Sequence, residues 1–135
     1  MLASVCVVIA VAATSTYGTP WTWTPLNYPG AMTTWAYGIS GNNIVGYYED
    51  SSYAPHPFLY NGTTWTDLHS LNATANYARG IDGSNIVGGY DGTRPETMFL
   101  YNGSTWASLR LPSEWGHIPQ VYAISGNNIV GNCRE

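Results

Sequence analysis

Few residues of this chain have the type and spacing that catalysis demands. Histidines stand at His56, His69 and His117, and cysteines at Cys6 and Cys133. Zinc sites draw on cysteine and histidine pairs a few residues apart, and neither set is spaced that way. The run Gly38-Ile39-Ser40-Gly41 lacks both the Gly-x-Ser-x-Gly spacing and the following helix that expose a nucleophilic serine. Asp82-Gly83 and Asp91-Gly92 offer oxygens to calcium, but a cage needs several more carboxylates, and both pairs suit turns. Glu49 and Asp91 can be paired on paper as the two acids of a glycosidase, yet nothing singles them out. No catalytic set, metal site or cofactor motif is present, and an enzyme is not expected.

Recognition chemistry is better served. The chain holds 11 Tyr and 6 Trp against only 2 Phe, a bias towards rings with a polar handle that favour half-wet surfaces. Trp21, Trp35 and Trp115 are not locked to the repeat described below, which makes them candidates for stacking on a sugar ring. Arg79 and Glu114 are expected on connections between units, where loops gather and carry function. Asn61-Gly62-Thr63, Asn72-Ala73-Thr74 and Asn102-Gly103-Ser104 read as glycosylation sequons on Asn61, Asn72 and Asn102. At the first and third, an Asn-Gly turn explains the same residues without a glycan.

The elements that position these residues form a repeat. Gly38-Ile39-Ser40-Gly41-Asn42-Asn43-Ile44-Val45-Gly46 returns as Gly80-Ile81-Asp82-Gly83-Ser84-Asn85-Ile86-Val87-Gly88, then as Ala123-Ile124-Ser125-Gly126-Asn127-Asn128-Ile129-Val130-Gly131. Ile39, Ile81 and Ile124 recur at steps of 42 and 43 residues, and Trp23, Trp65 and Trp106 at steps of 42 and 41. Repeats of about 40–45 residues built from short strands are the pattern of propeller blades. Residues locked to every unit usually pack one unit on the next. These six positions, with Tyr60 and Tyr101, are therefore expected to fill gaps between sheets rather than to hold a ligand.

Within a unit the local chemistry draws four strands. Trp35 to Ile39 leads through a Gly/Asn cluster that tolerates positive φ into Ile44 to Tyr48, which makes a hairpin. His56 to Tyr60 then meets Thr63 to Leu68 across Asn61-Gly62, a pair that favours a type I′ turn. The second unit repeats the plan with Ala78 to Ile81, Ile86 to Tyr90, Met98 to Tyr101 and Ser104 to Leu109. The chain opens on a fourth-type strand, Trp21 to Leu26, and reaches a third leading hairpin ending at Gly131. No helical period competes after residue 14.

Composition bounds the partners. Only 9 % of the 135 residues are charged, lysine is absent and the net charge is −4, so no electrostatic footprint for nucleic acid exists. Residues 1–13 form an apolar run too short to span a bilayer. Small residues at Ala10-Val11-Ala12-Ala13 before polar Thr14 fit signal-peptide cleavage, although a basic leader is missing. The other reading is a buried apolar N-terminal strand, given the Val and Ile content. Residues 14–135 are expected to be one tandem-repeat β domain, with repeats starting near 36, 78 and 121. Cys133 then either remains an odd thiol able to pair between chains or bridges to Cys6.

The pattern Ala-x-Gly-Ile-Ser-Gly-Asn-Asn-Ile-Val-Gly followed by Phe-Leu-Tyr-Asn-Gly-Thr-Thr-Trp-Thr-x-Leu resembles the HAF family of bacterial extracellular repeats. It covers 36–46 and 58–68, then 78–88 and 99–109 less closely. The resemblance implies a secreted or cell-surface protein of propeller type, usually with more repeats, and no established catalytic residues. The expected fold is all-β, with antiparallel four-stranded repeat units in a β-propeller-like array, incomplete at under three units. The expected function is a non-enzymatic structural or self-associating role of a homo-oligomer, and the Trp/Tyr enrichment with neutral polar loops makes a lectin-like, carbohydrate-binding propeller formed by oligomerisation the alternative. No cofactor and no membrane span are expected.

Overall fold

The structure, a computed structural model, describes residues 7–11, 22–68, 75–90, 98–110, 112 and 117–134. Twelve strands run through them: β1 Val7–Val11, β2 Thr22–Leu26, β3 Thr33–Ser40, β4 Asn43–Glu49, β5 Pro55–Tyr60 and β6 Trp65–Asp67, then β7 Ala75–Asp82, β8 Asn85–Tyr90, β9 Met98–Tyr101, β10 Trp106–Leu109, β11 His117–Ser125 and β12 Asn128–Arg134. Among the described residues there is no helix, and so none long and apolar enough to cross a membrane.

The strands form four open antiparallel sheets. β3-β4-β5-β6 and β7-β8-β9-β10 are four-stranded meanders, while β1-β2 and β11-β12 are two-stranded. Each leading hairpin closes on two residues, Ser40 facing Asn43, Asp82 facing Asn85 and Ser125 facing Asn128. The first loop residue, Gly41, Gly83 or Gly126, has a φ of 59°, 58° or 54°, as a type II′ hairpin turn requires.

The second turn departs from the type I′ expectation. A type I′ turn needs positive φ at Asn61 as well as Gly62, but Tyr53 is the one non-glycine described with positive φ. Asn61 instead turns its side chain back on the chain. Its Oδ1 accepts from Thr63 N at 3.0 Å and Thr64 N at 2.8 Å, and Asn102 Oδ1 accepts from Ser104 N at 3.1 Å and Thr105 N at 2.8 Å. The loop lengthens to four residues, since Tyr60 pairs with Trp65 and Tyr101 with Trp106. The fourth strand accordingly starts at Trp65 or Trp106, two residues later than the apolar pattern marks.

The adjacent Ile and Val of β4 and β8 point to opposite faces, and both are buried: Ile44 7 %, Val45 0 %, Ile86 1 %, Val87 0 % exposed. A strand apolar on both sides needs a neighbour on both sides. The core clusters therefore straddle unit boundaries. Leu26 of β2 packs with Ile44 and Phe58. Val45, with Leu68 just past β6, packs on Ala78, Ile81, Ile86 and Phe99. Val87 and Met98 pack on Val121, with Leu100, Leu109 and Ile124 at the margin. The sheets thus stack face to face, and stability is shared between neighbours as in solenoid repeats.

Candidate functional site

The three leading strands share an irregularity that sets up the most distinctive surface of the molecule. Pairing runs Ala36 to Gly46 and then Gly38 to Val45, skipping Tyr37. It runs Ala78 to Gly88 and then Gly80 to Val87, skipping Arg79. It runs Val121 to Gly131 and then Ala123 to Val130, skipping Tyr122. Each unit therefore carries a β-bulge at the same place, and bulges re-aim side chains and are kept as built features.

The residues around each bulge are fitted to it. A Cβ on Gly46, Gly88 or Gly131 would land on the carbonyl oxygen of Trp35, Tyr77 or Gln120 across the pair, so the Gly closing each Ile-Val-Gly is a steric requirement of the bulge. The leading strands of successive units also approach closely: a Cβ on Gly80 would stand 2.8 Å from the Ala123 Cα. Ser40 Oγ accepts from Gly83 N at 3.0 Å, and the Asp82 carboxylate takes the matching bond from Gly126 N. β3, β7 and β11 are thereby drawn side by side.

That alignment gathers the three bulge residues. The Arg79 guanidinium carbon lies 5.4 Å from the Tyr37 ring centre, 5.6 Å from Tyr77 and 5.9 Å from Tyr122, within the range of cation–π attraction. Tyr47 stacks on Trp35 at 6.2 Å and on Tyr37 at 5.9 Å, and meets Tyr77 edge-on at 4.9 Å. Burial, reinforced by Tyr37, pushes the Tyr47 hydroxyl well above the ordinary tyrosine pKa, so it stays protonated. Trp35, Tyr37 and Tyr122 are 38 %, 47 % and 44 % exposed. Among the described residues Arg79 makes no ion pair. The arrangement holds a cation among partly exposed aromatic rings.

A second polar cluster lies on the first unit. His56 Nε2 is 3.1 Å from Asp50 Oδ2, and its ring stacks on Tyr48. Tyr48 donates to Asp67 Oδ2 at 3.1 Å. Hydrogen bonds from His56, then from Ala54 N and Ser52 N, hold the Asp50 carboxyl below its usual range. These polar groups close the loop after β4 and brace the ends of β4, β5 and β6. No group of three potential metal ligands occurs among the described residues.

The positions marked in the sequence are distributed as follows. Trp35 belongs to the aromatic face, in the slot that Tyr77 fills one unit later. Arg79 lies inside β7, not on a connection between units, because that strand begins at Ala75. Trp65 and Trp106 pack edge-on against Phe58 and Phe99 at 4.9 and 4.8 Å. Ile81 is 7 % exposed and Ile124 lies against Val121, but Ile39 is 63 % exposed. Trp23 lies in β2. Asn61 and Asn102 are exposed at turns, with the side-chain oxygen of each engaged as described. Trp21, Asn72, Glu114, Trp115, His69, Asp91 and Cys6 lie outside the described residues. Tyr37 and Tyr122 escaped sequence reasoning, although they share one repeat slot with Arg79 and that slot was the available signal.

Comparison with protein-family models, with curated proteins and with solved structures returns no match for the chain.

Proposed function

We propose that this chain is a secreted or cell-surface repeat protein without enzymatic activity, which works by stacking β-sheet units within one chain and between copies. The observation that carries this reading is the contrast between equivalent positions. Val45 and Val87 are fully buried against the next unit, whereas Val130 in the same slot is 59 % exposed. Ile81 is buried against the preceding unit, whereas Ile39 is 63 % exposed. The two open faces are the two halves of an interface that the chain already makes twice. Ser125, equivalent to Ser40 and Asp82, and the amide of Gly41, equivalent to those of Gly83 and Gly126, would complete the hydrogen bond between units.

Such a contact joins different surfaces of two copies, so it closes a ring or continues as a filament. Ring closure would give the propeller-like arrangement, and the resemblance to HAF-type extracellular repeats supports the same reading. Among the described residues β12 pairs with β11 alone, and a sheet edge left uncovered favours a partner. Light scattering on the purified chain over a range of concentrations tests the reading. Association that Val130→Asp abolishes is expected, with secondary structure unchanged.

A further inference from the structure

We infer that Arg79, framed by Tyr37, Tyr77 and Tyr122, is the anion-reading centre of a binding site for an acidic oligosaccharide. The argument begins with construction. Three bulges in register each place a large side chain at the same point, and each is accommodated by a glycine across the pair. Two of the three carry tyrosine and the middle one carries arginine, so the single cation is centred in the row. Packing between units does not need this composition, because the interunit core is made by other residues.

The chemistry of the row selects the ligand. Ring faces hold the guanidinium charge in place but supply no carboxylate, and among the described residues none pairs with it. Guanidinium is a planar fork matched to carboxylate, which it can take bidentately. Glu49, which acts on Tyr47, is held by the Thr33 hydroxyl at 2.8 Å. The flanking rings are about half exposed and follow one another along the row, which suits the flat C–H faces of successive pyranose rings. The Tyr122 hydroxyl donates to Gln120 Oε1 at 3.3 Å, which leaves its oxygen as an acceptor at the rim. A chain of net charge −4 repels polyanions in general, so capture relies on this local match rather than on a broad field. A uronic-acid saccharide presents both a stacking ring and a carboxylate, whereas an acidic peptide presents only the latter.

The test is calorimetric titration of the full chain with a short oligogalacturonide of defined length, its methyl ester and an acidic peptide, polyglutamate. It is run at a chain concentration where the mass is constant, so that its result is independent of self-association. Saturable binding of the oligogalacturonide is expected, with the ester weaker by about tenfold or more through loss of one charged contact, and the peptide weaker to a similar extent through loss of ring stacking. Arg79→Gln should lower affinity to a similar extent, and Arg79→Lys should restore only part of it. Tyr122→Ser, on an exposed ring, should weaken binding severalfold without moving the melting temperature. Absence of saturable binding, equal affinity for the ester, or equal affinity for polyglutamate would each overturn the proposal. The ester comparison uses the unaltered chain, so it decides the matter even where an Arg79 variant folds poorly.

Discussion

Gly80 and Gly88 show how closely single residues are tied to the fold. At Gly88 a Cβ would meet the Tyr77 carbonyl oxygen and the Phe99 ring, and at Gly80 it would press on Ala123 backbone. Neither has positive φ, so the requirement is close approach rather than backbone freedom. Gly80→Ala and Gly88→Ala are each expected to lower stability by about 1–3 kcal/mol, the usual cost of overpacking. Urea denaturation checks this, and a change under about 0.5 kcal/mol, ordinary for surface substitutions, would mean the strands do not approach as described. Phe99→Ala, at a fully buried ring, should cost about 3–5 kcal/mol. Individual residues were only partly legible in the sequence. The charge of Arg79 is plain in the sequence but its place at a bulge inside β7 is not, because a bulge leaves no composition signal of its own. Tyr37, Arg79 and Tyr122 look like ordinary members of a strand until the register shows that each is skipped.

At the scale of elements, the four-stranded meander was legible because turn residues and apolar runs alternate within each unit. The turn type was not, since Asn-Gly favours I′ geometry only where the Asn side chain does not bond locally. Thr63 and Thr64, with Ser104 and Thr105, offer donors that draw the Asn oxygen inward. The link between β4 and β5 makes a pH prediction. Asp50 accepts from His56, Ala54 N and Ser52 N, and these bonds hold its folded pKa below the ordinary carboxylate value. A depressed carboxyl stabilises the fold above its unfolded pKa and loses that contribution as pH falls through the folded value. Asp50→Asn should therefore melt earlier than the parent at neutral pH. The gap should narrow progressively below about pH 4, where the parent's own carboxylate begins to protonate. Melting curves across the acid range check this, and a gap that widens in acid would contradict it.

For the whole molecule, stacking explains why so lightly charged a chain folds on short strands. Each second strand is apolar on both faces and can be satisfied only between neighbours. The repeat period made that stacking legible, whereas the path of the chain beyond two full meanders was not, because periodicity alone does not fix closure. Ile39 illustrates the difference. It has the sequence of a packing residue, yet among the described residues its side chain is exposed. Ile39→Asp and Val130→Asp should each change the unfolding free energy of the isolated chain by about 0.5 kcal/mol or less, as exposed sites allow. Mixed together, the two variants should pair once and stop, each retaining one intact face. Pairing that continues would show that other surfaces are used.

In the proposed assembly the exposed face at Val130 docks the exposed face at Ile39 of another copy. The most direct measurement is the absolute mass of the purified chain by light scattering across concentration, with Val130→Asp alongside. The account predicts mass rising in whole multiples of the chain, to a closed ring or to open growth, and a single-chain mass for the variant. A constant single-chain mass for the parent at every concentration, or association undiminished in the variant, would contradict it.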